Sequence, residues 1–110
     1  IVKTPWGTYE VLLDEPNYKV KRIIVYPYER FSLQYHKHRE EHWVIVEGDG
    51  IVQVNRKEYP AIIRSHWVIL PTELHRATAG PNGLVFIETQ TGRCDEDDIV
   101  RLEDDYGRTG

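Results

Sequence analysis

An all-β fold, a small sandwich or barrel, is predicted by three features of the sequence. Its β-branched and aromatic runs are short, turn residues interrupt them every six to twelve positions, and no stretch shows helical periodicity. Thr4 to Leu13 opens with a turn at Pro5-Trp6-Gly7 and becomes a strand, with Trp6 as a core anchor. Asp14-Glu15-Pro16-Asn17 is a polar turn. Tyr18 to Tyr26 is a second strand whose early part alternates, with Lys19 and Lys21 on one face and Val20 on the other. Pro27 to Arg30 breaks the pattern and Phe31 to His36 resumes it. Trp43 to Val46 is followed by Gly48-Asp49-Gly50, read as a tight hairpin from which Ile51 to Val54 returns. After a turn at Asn55 to Glu58 come Tyr59 to Ile63, then His66 to Leu70, ending at Pro71. Arg76-Ala77-Thr78 starts another strand, Gly80-Pro81-Asn82-Gly83 turns, and Leu84 to Gln90 is the last long strand. Asp95 to Leu102 sets acids before an apolar pair, which predicts one short C-terminal helix.

A chain of 110 residues makes one domain, residues 1–110. The net charge of −4 argues against nucleic acid as the main partner. The charge is uneven: Lys19, Lys21, Arg22 and Arg30 make the first third basic, whereas Asp95 to Asp105 holds seven acids and one arginine. The single cysteine, Cys94, excludes an internal disulfide and suits a cytoplasmic setting. No apolar run approaches a membrane span and no signal-like start is seen. With no Met and Ile1 as its first residue, the chain reads as a trimmed piece of something longer.

The chemistry concentrates in Gln34 to Trp43, where three histidines, a glutamine and two glutamates crowd together. In an extended strand Gln34, His36 and His38 share one face, and two imidazoles at i and i+2 can hold one metal ion. Glu41 lies just beyond, and His75 arrives later behind Pro71. Nitrogen with carboxylate oxygen suits a divalent ion such as Zn, Mn, Co, Fe or Ni. An isolated His-x-His pair is more often a surface or hydrogen-bonded feature, so the later histidine carries weight.

The pattern His36-x-His38-x-x-Glu41-(x)6-Gly48, then Pro71-x-x-x-His75, resembles the cupins, small β-barrels with a metal in the barrel mouth. Two gaps, His38 to Glu41 and Pro71 to His75, are each one residue shorter than the commonest cupin form. Further stretches resemble one branch, the type II mannose-6-phosphate isomerase cupin. These are Pro5-Trp6-Gly7-x-Tyr9-Glu10, Tyr18 to Ile23, Gln34 to Trp43, Glu88 to Gly92 and Glu96 to Arg108. In that family the domain often follows a mannose-1-phosphate guanylyltransferase domain, of which this chain shows no nucleotide loop. The resemblance implies a cupin double-stranded β-helix (a small jelly roll) that interconverts mannose 6-phosphate and fructose 6-phosphate through an enediolate.

It also implies roles. His36, His38, Glu41 and His75 are the expected metal ligands; Gln34 is the reserve ligand and is also expected against the substrate. Glu88 is the expected general base, sharing a strand face with Phe86 and Gln90. Lys21, Arg22 and Arg101 are the candidate phosphate donors, with Arg101 alternatively paired to its acidic neighbours; Gln90 and Trp43 are set against the substrate, with Trp43 alternatively filling the barrel. Competing readings are a non-enzymatic cupin that binds a sugar phosphate, or another cupin enzyme such as an epimerase or oxygenase. A homodimer is expected by analogy with the fold.

Overall fold

The computed structural model describes residues 1–109 and contains nine strands: β1 Val2–Thr4, β2 Gly7–Glu15, β3 Tyr18–Val25, β4 Leu33–Tyr35, β5 Arg39–Val54, β6 Lys57–Ala61, β7 His66–Ile69, β8 His75–Gly92 and β9 Val100–Glu103. The sheet runs β1-β2-β3-β8-β4-β9, with β5 against β6, β7 and β8. All pairings between these strands are antiparallel. No helix among the described residues is long and apolar enough to cross a membrane.

Two long strands carry the architecture. The Leu84–Thr91 arm of β8 pairs with β3 on one side and β5 on the other, and its His75–Ala79 arm pairs with β5 and, at His75, with β4. The expected hairpin at Gly48-Asp49-Gly50 is instead a bend inside β5, and Gly80 to Gly83 is a bend inside β8. Chain direction does not reverse at either. The register shifts between Gly48 and Gly50, where the two bends face each other. Gly48 has φ of 81°, and a Cβ there would lie 2.1 Å from the Gly83 carbonyl oxygen. The glycines therefore let two curving strands pass at a corner rather than turn back.

The expected C-terminal helix is also absent. Val100–Glu103 joins β4 as β9, and Asp95 to Ile99 lies in turns before it. The barrel takes this segment's backbone acceptors: Asp95 O accepts from Arg39 and Asp98 O from His36. Contacts of that kind outcompete a helix too short to repay its nucleation.

The inside of the barrel is graded. Trp6, Ile23, Val25, Phe31, Trp43, Ile45, Leu84 and Phe86 fill the apolar end. Phe31 packs 5.3 Å from Trp6 and 5.8 Å from Trp43, and Phe86 lies 4.5 Å from Trp43. Continuing along the same strand faces, Lys19 and Lys21 follow Ile23 on β3, and Glu88 and Gln90 follow Phe86 on β8, all buried. Alternation thus places lysines inside rather than in solvent, and makes one end of the barrel polar.

Candidate metal centre

His36, Glu41 and His75 converge at that polar end, their donor atoms all within 4.8 Å of one another. The His36 and His75 Nε2 atoms are 3.2 Å apart, and Glu41 Oε2 is 3.3 Å from His36 Nε2. Glu41 Oε1 lies 3.8 Å from His75 Nε2. Bonds of about 2.1 Å to one ion at tetrahedral or octahedral angles set donor atoms roughly 3.0–3.4 Å apart.

The hydrogen positions sharpen the case. His36 Nδ1 is 2.6 Å from the Asp98 carbonyl oxygen and His75 Nδ1 is 2.9 Å from that of Glu73. A carbonyl only accepts, so each Nδ1 carries the hydrogen and each Nε2 a lone pair. Burial, then the nearby Arg39 charge, pushes His36 down to about 3, and burial pushes His75 down to about 4. Both rings are therefore neutral at neutral pH. Two nitrogen lone pairs and a carboxylate facing one another fit a divalent cation.

His38 does not join them. It is exposed, and its N–H donates to Asp98 Oδ2 at 2.9 Å. The expectation assumed an unbroken strand, but β4 stops at Tyr35, and Lys37-His38 form a bend whose N–H groups are both held by the Asp98 carboxylate. That bend shifts the alternation by one, so Arg39, Glu41 and Trp43 point inward. Gln34 reaches the cluster, its Nε2 3.4 Å from His36 Nε2 and its Oε1 accepting from Ser32 Oγ at 2.7 Å.

Glu88 is buried beside the triad. Trp43 Nε1 donates both to Glu41 Oε1 (3.0 Å) and to Glu88 Oε1 (3.1 Å), and Gln90 Nε2 donates to Glu88 Oε2 at 2.7 Å. Burial first, and the Glu41 charge second, raise Glu88 to about 7. Trp43 and Gln90 thus serve the carboxylates, whereas they were expected against the substrate. Gln90 Oε1 is buried with no hydrogen-bond partner.

A cavity of about 250 Å³ opens beside the cluster, lined among others by Lys21, Gln34, His36, Arg39, Glu88 and Arg101. Lys21 is 4% exposed, with Nζ 4.3 Å from the Tyr9 ring centroid and 2.7 Å from Glu96 Oε1. Arg22 lies on the outer face, exposed and paired with Glu10, so it does not reach the cavity. Alternation along β3 allows only one of these two neighbours inside.

Sequence reasoning assigned no role to Arg39, which is buried in the centre. Its Nε donates to Glu41 Oε2 at 2.8 Å, and Nη2 is 3.2 Å from His36 Nε2. A cation between a histidine and a glutamate in the motif was the available signal. Glu96 and Arg108 also line the cavity and were likewise unassigned.

Residues 1–104 match the family model described as "Mannose-6-phosphate isomerase C-terminal". Similar proteins include a mannose-1-phosphate guanylyltransferase of Klebsiella pneumoniae, 39% identical over 107 residues, covering 94% of this chain and 22% of that protein. The alginate biosynthesis protein AlgA of Pseudomonas aeruginosa is 42% identical over 110 residues, covering 98% and 23%. The chain therefore spans under a quarter of the length of these relatives. Among solved structures, KdgF from Halomonas sp. superposes with a TM-score of 0.79 at 14% identity, covering 84% of this chain and 86% of that one. A double-stranded β-helix protein from Klebsiella pneumoniae gives 0.79 at 15% identity, covering 93% and 90%. These likenesses show the fold, the double-stranded β-helix of the cupins.

Proposed function

This chain belongs to the mannose-6-phosphate isomerase C-terminal family, and from that premise we propose that it interconverts mannose 6-phosphate and fructose 6-phosphate at the polar end of its barrel. The observation that carries the reading is the pairing of a lone-pair triad with a buried carboxyl of raised proton affinity. His36, Glu41 and His75 would hold a divalent metal, with Gln34 at its edge. When bound, such an ion would supply Lewis-acid stabilisation for the negative charge that develops as the proton is removed.

Glu88 moves the proton. It takes hydrogen from C2 of the open-chain aldose, leaving an enediolate, and returns it to C1, while the hydroxyl proton passes from O2 to O1. A carboxyl near 7 is matched to that two-way traffic at neutral pH. Trp43 and Gln90 fix its two oxygens, so the carboxylate approaches the sugar in one orientation. Arg39 anchors Glu41, and Trp6, Ile23 and Phe31 give the cavity an apolar wall. The cavity's cations suit the 6-phosphate. The working form is proposed to be a cytoplasmic homodimer, with the exposed Val44 and Val68 available on the outer face.

A coupled assay on mannose 6-phosphate with Co, Mn or Zn added should show turnover that EDTA abolishes. Glu88→Gln should lower kcat by about 10²–10⁴-fold with metal content unchanged. Absence of turnover with every metal would reject the reading. One observation favours a second reading, a sugar-phosphate binder without catalysis: Arg39 Nη2 already lies against the lone pair of His36. Saturable hexose-phosphate binding without turnover would select it.

A further inference from the structure

The cations around the cavity differ in what already neutralises them. Lys19 and Lys21 share the Glu96 carboxylate at 3.0 and 2.7 Å. Arg39 is held by Glu41 at 2.8 Å and by the Asp95 carbonyl at 3.1 Å. Arg101 has no ion pair among the described residues, and its Nε is buried without a hydrogen-bond partner. Beside it in the same cavity stands Arg108. Burial, and then the charge of Arg108, lowers the proton affinity of Arg101. Asp104 holds Arg108 through Nε (2.7 Å) and Nη2 (3.1 Å), which leaves Nη1 of its fork free of the carboxylate. Two adjacent guanidiniums, one with a stranded donor, are complementary to an anion between them.

Register then relates this pair to the metal centre. Arg101 pairs with Gln34 across β9 and β4, and Gln34 pairs with His75 across β4 and β8. Side chains at directly paired positions share a face. His75, Gln34 and Arg101 therefore form one row, with Arg101 two strand spacings, about 10 Å along the sheet, from His75. That is the reach of an extended six-carbon sugar from its carbonyl to a terminal phosphate.

We infer that Arg101 and Arg108 form a two-guanidinium clamp for the phosphate of the sugar, with Lys19 and Lys21 excluded from that task by Glu96. The sugar's orientation rests on the isomerase reading above, whereas the anion site does not.

The test uses inorganic phosphate titrated into the 110-residue chain, followed through ¹⁵N-labelled arginine Nε–H signals. The Arg101 signal should move saturably. Arg101→Gln and Arg108→Gln should each weaken binding about 10-fold or more, with Arg101→Lys in between because it keeps the charge and loses the fork. Asp104→Asn, which leaves both guanidiniums in place, should bind phosphate within about twofold of the parent. Equal losses in Asp104→Asn and Arg108→Gln would reduce Arg108 to a strut and overturn the clamp, as would undiminished binding in Arg101→Gln. In turnover, Arg101→Gln should raise KM for mannose 6-phosphate far more than it lowers kcat. Phosphate bound through both arginines with no sugar turnover would sink the isomerase reading and leave the clamp standing.

Discussion

Asp98 does two things at the candidate metal centre, and both act through His36. Its carbonyl oxygen takes the Nδ1 hydrogen, which turns the Nε2 lone pair inward. Its carboxylate gathers the N–H groups of Lys37 and His38, which fixes the bend behind that ring. Substitution Asp98→Ala should loosen the bend and weaken divalent-metal affinity by about 10–100-fold, read by chelator competition, with the fold retained by circular dichroism. Unchanged affinity would mean that Glu41 and His75 orient the site without help. His36, Glu41 and His75 were legible as candidates because their residue types and spacing were suggestive. The exclusion of His38 was not legible, since it depends on a carboxylate sixty positions away in sequence. Lys21 was legible as a possible inward residue, but only the register of β3 against Glu88 on β8 separates it from Arg22.

At the scale of elements, the corner between β5 and β8 governs where the site's parts stand. β8 carries His75 on one arm and Glu88 and Gln90 on the other, and β5 carries Glu41 and Trp43 beside them. Gly48→Ala would drive a methyl group toward the Gly83 carbonyl and force a side chain onto a left-handed backbone. The expected loss is about 2–4 kcal/mol in urea denaturation, with most of any activity loss tracking the unfolded fraction. A change below about 0.5 kcal/mol would show that the corner has slack. Strand existence was legible here and connectivity was not. Gly-Asp-Gly signals a hairpin when local sequence is considered alone, but a closing barrel also uses glycine where two strands cross tightly. The missing helix has a similar cause: the acids of Asp95 to Asp98 carry the local signal for a helix start, while their backbone oxygens are claimed by Arg39 and His36 across the barrel.

Taken as a whole, the molecule concentrates its unfavourable electrostatics at one end and its packing at the other. His36, Glu41 and His75 gather two nitrogen lone pairs and a carboxylate in a buried site that Arg39 only partly neutralises, so a bound divalent cation adds stability. Metal should therefore raise the thermal midpoint. At a free concentration 100 times its dissociation constant, the gain is about 2.7 kcal/mol, or roughly 10 °C for a domain of this size. EDTA should reverse it, and His75→Ala should abolish the shift while leaving a cooperative transition. An identical midpoint with and without metal would contradict the site.

The apolar plug of Trp6, Phe31, Trp43 and Phe86 has a kinetic corollary. Trp6 and Phe31 of this cluster also line the cavity beside His36, so a single pocket is apolar on one side and charged on the other. On the proposed isomerase reading, aldose and ketose would occupy that one pocket in turn. Product should accordingly compete with substrate in strict rivalry, one occupant at a time.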